Sequence, residues 1–283
     1  GCRPPPAGED VLGEGADAAA FDVAVVAGRV WELSQEAFGC RRVQAAFDAA
    51  GSDAAREALA QELRGHVLAA AQSPHANHVL QKCIVSTRPQ ATQFVVDEFL
   101  AGPVGALARH KYACRIFQRL MEHSQRRQTT KLMDVLAGEA LGLSRHNYGN
   151  YVVQSLIEHG ADCHRHRVAE VVRCEIRGIV TEPHGCAVVS ASLAHADAAD
   201  RLSIARVLLK EPGLLCFVAA MRHGHLAVTR ALETFDRDEL KQALSVLAAE
   251  GETLQSSRWG REVMKYVESQ AVQMLEAACR AGA

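Results

Sequence analysis

A ten-residue pattern recurs seven times along this chain at a nearly constant interval, and that interval constrains the fold more than any other feature. FGCRRVQAAF (38–47), HANHVLQKCI (75–84), YACRIFQRLM (112–121) and YGNYVVQSLI (148–157) share one order: an aromatic residue or His, a small residue, a variable pair, two mostly apolar positions, then Gln. HGCAVVSASL (184–193), HGHLAVTRAL (223–232) and WGREVMKYVE (259–268) are weaker copies. With the residue after the small one as a marker, the copies sit at Cys40, Asn77, Cys114, Asn150, Cys186, His225 and Arg261, spaced by 37, 37, 36, 36, 39 and 36 residues. A length of 283 residues would otherwise suit two ordinary domains. A fixed period of this size is instead the mark of a stacked array, in which each unit buries its apolar face against its neighbours.

Between the markers, segments such as EALAQELRGHVLAAA and RDELKQALSVLAAE place apolar residues three and four apart, as helices do. No segment reads as a strand pair. Ser73-Pro74, Gly102-Pro103, Glu182-Pro183 and Pro212-Gly213 break the helical runs. The expectation is an all-α helical-repeat solenoid over residues 21–283, with repeats near 21–58, 59–94, 95–131, 132–167, 168–203, 204–242 and 243–283. The Pro-, Gly- and acid-rich residues 1–20 read as a flexible lead-in, and the last helical run as a cap on the open end.

Within each copy the marker and the residue four later fall one turn apart on a helix, on one face. The two positions before the last point into the core: Val79-Leu80, Ile116-Phe117, Val152-Val153, Val188-Val189, Ala227-Val228 and Val263-Met264, with Arg42-Val43 as the departure. The polar positions are expected to form a solvent-facing ladder. Its first four rungs are Cys40, Arg41 and Gln44; Asn77, His78 and Gln81; Cys114, Arg115 and Gln118; Asn150, Tyr151 and Gln154. An amide carries a donor and an acceptor and can match the edge of an unpaired base, while Arg, His or Tyr offers a flat face for stacking. Stacking contributes about 1–3 kcal/mol per base, more than a typical net hydrogen bond. A single exposed Gln is most often only solvated surface, but nothing in core packing requires Gln at four successive rungs.

The formal charge of −2 argues against a polyanion partner only on average. Residues 37–160 hold 14 basic and 10 acidic side chains, so the segment with the intact rungs is mildly positive. Nine cysteines without a CxxC pair suit reduced thiols rather than a zinc site or a disulfide framework. The Cys163-His164-Arg165-His166 run lacks a tetrahedral spacing and reads as an exposed basic loop. No Gly-rich phosphate loop, HExxH or GxSxG occurs, so no enzyme, metal or cofactor is expected. No uncharged run of 18 apolar residues and no signal-peptide pattern occurs, which points to an intracellular protein without a membrane association. The first residue is Gly rather than Met, as in a fragment of a longer protein.

The pentads CRRVQ, NHVLQ, CRIFQ and NYVVQ, each following an aromatic residue or His and then Gly or Ala, resemble the repeats of the Pumilio (PUF) family of RNA-binding proteins. The likeness is strong through residue 160 and weaker to about residue 280. It implies a right-handed crescent of three-helix repeats whose concave face binds single-stranded RNA, one base per repeat, antiparallel to the protein. Carried over rung by rung, Asn150 with Gln154 resembles a uracil reader, Cys114 with Gln118 an adenine reader, Asn77 with Gln81 uracil and Cys40 with Gln44 adenine. The implied core is 5′-UAUA-3′, with Arg41, His78, Arg115 and Tyr151 as stackers. Cys186 with Ser190 and His225 with Thr229 depart from the pattern and are weaker candidates; Arg261, Glu262 and Lys265 fit no reading rule.

The resemblance further implies a cytoplasmic monomer that regulates the translation or stability of messenger RNA, with protein co-regulators on the convex face or the last three repeats. Near-neutral charge and the three departing copies keep a second reading open, a protein-binding scaffold of armadillo or HEAT type. A nucleolar relative binding structured RNA through basic patches fits the modest charge less well.

Overall fold

Helices account for all seven copies of the pattern in the computed structural model, which describes residues 23–281. Among the described residues there is no strand, and no helix is long and apolar enough to cross a membrane. The lead-in expected at residues 1–20 lies outside the described residues.

The chain divides into two units between Glu139 and Ala140. In the first, α1 (Val23–Val26), α2 (Val30–Ser34), α3 (Ala37–Ala49) and α4 (Asp53–Gln61) are followed by α5 (Val67–Gln72), α6 (Ala76–Ser86) and α7 (Gln93–Ala101), then α8 (Val104–Ala108), α9 (Ala113–His123) and α10 (Arg126–Gly138). Each repeat is thus a short helix, a marker helix and a third helix. The marker helices stack in order, α3 on α6 and α6 on α9. The second unit holds α11 (Ala140–Ser144), α12 (Gly149–His159), α13 (Asp162–Val180), α14 (Gly185–His195), α15 (Ala198–Lys210), α16 (Leu214–Ala219), α17 (Gly224–Thr234), α18 (Arg237–Ala249), α19 (Gly251–Ser256) and α20 (Arg258–Ala281). Here α12, α14, α17 and α20 stack in the same way.

The repeats start later than the sequence suggests. The expected boundaries near 58, 94, 131, 167, 203 and 242 fall inside the third helices α4, α7, α10, α13, α15 and α18. The spacing of markers fixes the period but not the phase, which is set by where the third helix stops. After α4 the chain turns at Gly65, whose φ of 81° is readily reached only without a β-carbon. Between α12 and α14 the stop is a single non-helical residue: at Glu175 (φ −119°, ψ 19°) α13 bends from the third helix of one repeat into the short helix of the next. The Cys163–His166 run expected as a loop is the first turn of α13, where His164 is buried and its Nδ1 accepts from the Ala161 backbone N–H at 3.2 Å.

The inner pairs pack as expected. Val79, Leu80, Ile116, Phe117, Val152, Val153, Val188, Val189, Ala227, Val228, Val263 and Met264 are buried, and Phe117 meets Phe99 edge-on at 4.7 Å. In the departing first repeat Val43 is buried and Arg42 exposed. Each fully buried aliphatic or aromatic side chain contributes about 1.5–3 kcal/mol of transfer free energy, so a repeat without its neighbours would lose the larger part of its stability.

The small residue of the pattern has a steric cause. A β-carbon on Gly39, Gly185, Gly224 or Gly260 would overlap the carbonyl oxygen of Leu33, Ile179, Val218 or Leu254, in every case the residue six earlier, on the short helix. The marker helix therefore starts in contact with the backbone of the short helix. Carboxylates close the repeats further. Glu98 accepts from the backbone N–H of Gly65 at 2.7 Å and of Val67 at 3.1 Å, and Glu62 does the same for Gly28 and Val30. Each thereby caps the start of a short helix, where orphan N–H groups and the helix dipole favour an anion.

Gly185→Ala is expected to lower unfolding stability by about 1–3 kcal/mol, the range for forcing a methyl group into a packed site. Chemical denaturation followed by circular dichroism measures it. An unchanged midpoint would show that the end of α13 yields to the start of α14 at no cost.

Candidate nucleic-acid interface

The first turn of each marker helix is built around the marker, which is buried rather than solvent-facing. Asn77 and Asn150 are 0% and 1% exposed, and Cys40, Cys114 and Cys186 are likewise buried. The contact with the short helix draws the start of the marker helix inward, so the ladder expected at the surface has its markers as its floor. The fifth pentad positions Gln44, Gln81 and Gln154 are half-buried, and Gln118 is nearly covered. Of the second positions, Arg41 and His78 are exposed and Arg115 and Tyr151 half-exposed.

Burial of the markers is satisfied by hydrogen bonds that differ with the residue. Asn77 Nδ2 donates to the carbonyls of Ser73 and Pro74 at 2.8 and 3.1 Å, and Asn150 Nδ2 to those of His146 and Asn147 at 2.9 and 2.8 Å. Both Asn side chains thus stitch the turn that precedes their helix. Their Oδ1 atoms face the fifth position: Gln81 Nε2 donates to Asn77 Oδ1 at 2.9 Å and Gln154 Nε2 to Asn150 Oδ1 at 3.0 Å. At the Cys rungs the amide has no side-chain partner there and bonds to the marker's backbone carbonyl alone, a carbonyl that Gln154 Nε2 also reaches at the Asn150 rung, at 3.3 Å. Gln44 Nε2 donates to the Cys40 carbonyl and Gln118 Nε2 to the Cys114 carbonyl, both at 3.1 Å. The marker therefore sets the chemistry beside the Gln: an oxygen acceptor where it is Asn, a sulfur where it is Cys.

The turns are capped by the residue four before the marker. Ser73 Oγ accepts from the backbone N–H of His75 and Ala76; His110 Nδ1 does so from Tyr112 and Ala113, and His146 Nδ1 from Tyr148 and Gly149. These are N-cap bonds that satisfy orphan donors of the marker helix.

Titration keeps the floor uncharged. Burial pushes the Cys114 and Cys186 thiols up to about 11 and raises Cys40 in the same direction. All three stay protonated at neutral pH, and the Cys40 and Cys114 sulfurs donate to the carbonyls of Ala37 and Lys111. Desolvation, with the charges of Arg115 and His75, lowers the His78 pKa, so this second-position ring is a neutral flat face at neutral pH. Tyr151 lies with its ring 6.4 Å from His184.

The later rungs are closed. Ser190 and Ala187 are buried beside Cys186. Arg230, which the sequence pattern does not single out, donates to Ser190. At the next rung His225 stacks on Trp259 at 4.8 Å, and Thr229 donates its hydroxyl back to the His225 carbonyl at 2.9 Å. At the last, Arg261 donates to the Gln255 carbonyl and Lys265 pairs with Glu262 at 2.9 Å.

The Pumilio-family RNA binding repeat matches this chain four times in succession, over residues 29–64, 66–100, 104–137 and 140–172. The chain belongs to the Pumilio family. The four matched units are those with intact rungs, and their bounds follow the helix triplets rather than the earlier phase read from the pattern. The Pumilio family is a non-enzymatic family of RNA-binding proteins.

Among Pumilio relatives, a Pumilio domain-containing protein of Schizosaccharomyces pombe is 24% identical over 112 residues, 40% of this chain and 16% of that protein. Pumilio homology domain family member 4 of Saccharomyces cerevisiae is 27% identical over 84 residues, 30% of this chain and 9% of that protein. The matches thus span less than a fifth of the relatives' length. The fold is similar to PUF-8 in its complex with PBE-RNA (TM-score 0.76, 21% identity, 87% of this chain and 73% of that one). It is also similar to the Puf3 RNA binding domain bound to a Cox17 RNA 3′ UTR recognition sequence (TM-score 0.74, 19% identity, 87% and 75%). These likenesses extend the Pumilio fold across the closed rungs.

Alkylation of the native protein at pH 8 should modify exposed Cys163 and Cys174 and leave Cys114 and Cys186 unmodified, since only a thiolate reacts. Peptide mass spectrometry reads the order. Labelling of Cys114 as fast as Cys163 would mean that the rung floor is open and ionised.

Proposed function

We propose that this chain is a sequence-selective binder of single-stranded RNA, that its first four rungs each read one base, and that the core read is 5′-UAUA-3′. The observation that carries this reading is the alternation of the group beside the Gln, an Asn carbonyl oxygen at two rungs and a Cys thiol at the other two. Next to Asn77 or Asn150 the Gln shares its edge with an extra oxygen acceptor. Uracil presents an N–H between two carbonyls, and an added acceptor suits that donor. Next to Cys40 or Cys114 the Gln shares its edge with a protonated, polarisable thiol. Adenine presents one donor and one acceptor to an amide, and its remaining C–H meets sulfur without leaving a polar group unpaired. Base order follows repeat order in the chain, with the antiparallel sense that the family resemblance implies.

Arg41, His78, Arg115 and Tyr151 supply the stacking faces, and side chains alone make the contacts. On this reading the partner is messenger RNA and the outcome a change in its translation or stability, in the cytoplasm; the family resemblance supports this, and the Puf3 domain of similar fold was solved with a 3′ UTR recognition sequence.

Binding is expected to depend weakly on salt, because many cations are neutralised within the fold. Lys82 pairs with Asp48, Arg88 with Glu57, Arg109 with Glu139 and Arg119 with Glu122. The slope of log affinity against log salt should correspond to only a few phosphate contacts.

Fluorescence anisotropy with UAUA-containing and scrambled RNA tests the reading, and equal affinity for both would end it. The double change Asn150→Ser with Gln154→Glu should move the preference at one base from U towards G; uniform loss for every base would show that these side chains do not read an edge. Tyr151→Ala should weaken binding by about 1–3 kcal/mol with little change in melting temperature. A large fall in melting temperature would make Tyr151 a core residue instead.

A further inference from the structure

Repeat five has lost the amide of the first four rungs. Its fifth pentad position is Ser190, 2% exposed, and its second is Ala187, which has no flat face. A polar group nevertheless stands at this rung, and it comes from the next repeat. Arg230, on α17, donates through Nη1 to the Ser190 carbonyl oxygen at 2.7 Å and to the Ser190 hydroxyl at 2.5 Å. The guanidinium is thus fixed over the position from which a Gln side chain would extend.

Arg230 lies five residues after its marker, the place of Lys82 in repeat two and Arg119 in repeat three. Those two cations are each neutralised by a carboxylate, Asp48 and Glu122. Arg230 makes no ion pair among the described residues, and both of its bonds are to neutral oxygens of Ser190. It keeps its charge, and Nη2 and Nε keep donors to offer. Leu226, one turn earlier on the same helix face, is half-exposed and adds an apolar surface beside it.

We propose that Arg230 is the base-contacting group of repeat five, supplied by repeat six, and that it selects a base edge carrying two neighbouring acceptors. This rests on the RNA-binding reading above. Arginine has five donors in a planar fork and no acceptor. It therefore matches N3 and O2 of cytosine or N7 and O6 of guanine. Adenine and uracil alternate donor and acceptor along their base-pairing and Hoogsteen edges, so one arm of the fork would face another donor. A phosphate would satisfy the fork equally, but with no dependence on the base.

The test uses the full chain and RNAs of the form 5′-NUAUAN-3′, each flanking base varied in turn over the four possibilities, with affinity read by anisotropy. At the 5′ flank, which the antiparallel order assigns to repeat five, C or G is expected to bind about tenfold tighter than A or U, within the range for a bidentate base contact. Comparison of C with G identifies which acceptor pair is taken. Arg230→Ala should flatten that preference, and Arg230→Lys, which keeps the charge but loses the fork, should flatten it too. The wild-type series decides without either variant: indifference at the 5′ flank, or a preference for A or U there, overturns the proposal. So does uniform weakening across all four bases in Arg230→Ala, the pattern of a phosphate contact, and so does a C or G preference that survives both substitutions. A chain that favours the UAUA core but ignores its flanks removes only the role of Arg230; one that ignores the core removes the RNA reading with it.

Discussion

The close approach between the start of a marker helix and the carbonyl six residues back, seen in the five glycine repeats, is what the other features there depend on. It is made at Gly39, Gly149, Gly185, Gly224 and Gly260, and the other two repeats carry Ala76 and Ala113. Because the backbones meet there, the residue that follows is drawn out of solvent. A buried marker must be satisfied locally, and only a few side chains can do it. Asn does so with two donors to the preceding turn and one acceptor to spare, Cys with a single weak donor. The difference between rungs is therefore a by-product of a packing constraint: the same burial that stabilises the repeat fixes which atoms remain for a ligand.

Electrostatics is organised at the same period. Glu139, Glu175 and Glu211, each 36 residues apart, pair with Arg109, Arg145 and Arg177. Neighbouring third helices are tied side by side through Arg88 with Glu57, Gln128 with Gln93, His166 with Asp200 and Arg206 with Glu239. Each such exposed pair contributes at most about 1 kcal/mol, so their larger effect is to neutralise part of the positive charge of the array. Near-neutral net charge is then the expected state of an array whose cations are engaged in holding repeats together.

The fold class, the period, the breakers and the inner pairs were legible because they rest on spacing within one helix, and spacing is what a sequence displays directly. The phase of the repeats was not, since it depends on where third helices such as α4 end. Nor was burial of Cys40 or Asn77: a helical period puts marker and Gln on one face without saying whether that face borders the core. The helical setting of Cys163–His166 was missed because a run of charged and His residues resembles a loop, whereas His164 caps its own helix and His166 pairs with Asp200 of the next repeat. Arg230 acts across 40 residues, and the signal that could have found it was a cation with no carboxylate in a repeat that follows one lacking Gln.

The tight bend at Glu175, a single non-helical residue between the third helix of repeat four and the short helix of repeat five, restricts how this chain can change length. At Gly102-Pro103 or Pro212-Gly213 an extra residue can be taken up by a loop, and the 39-residue spacing between Cys186 and His225 falls across such a break. Within α13 an inserted residue would instead turn everything after it by about 100° around the helix axis. Ile176, Ile179 and Val180 would leave the core face, and the carbonyl that receives Gly185 would point elsewhere. A change of length between repeats four and five is therefore harder to absorb than one at the Pro- and Gly-marked breaks.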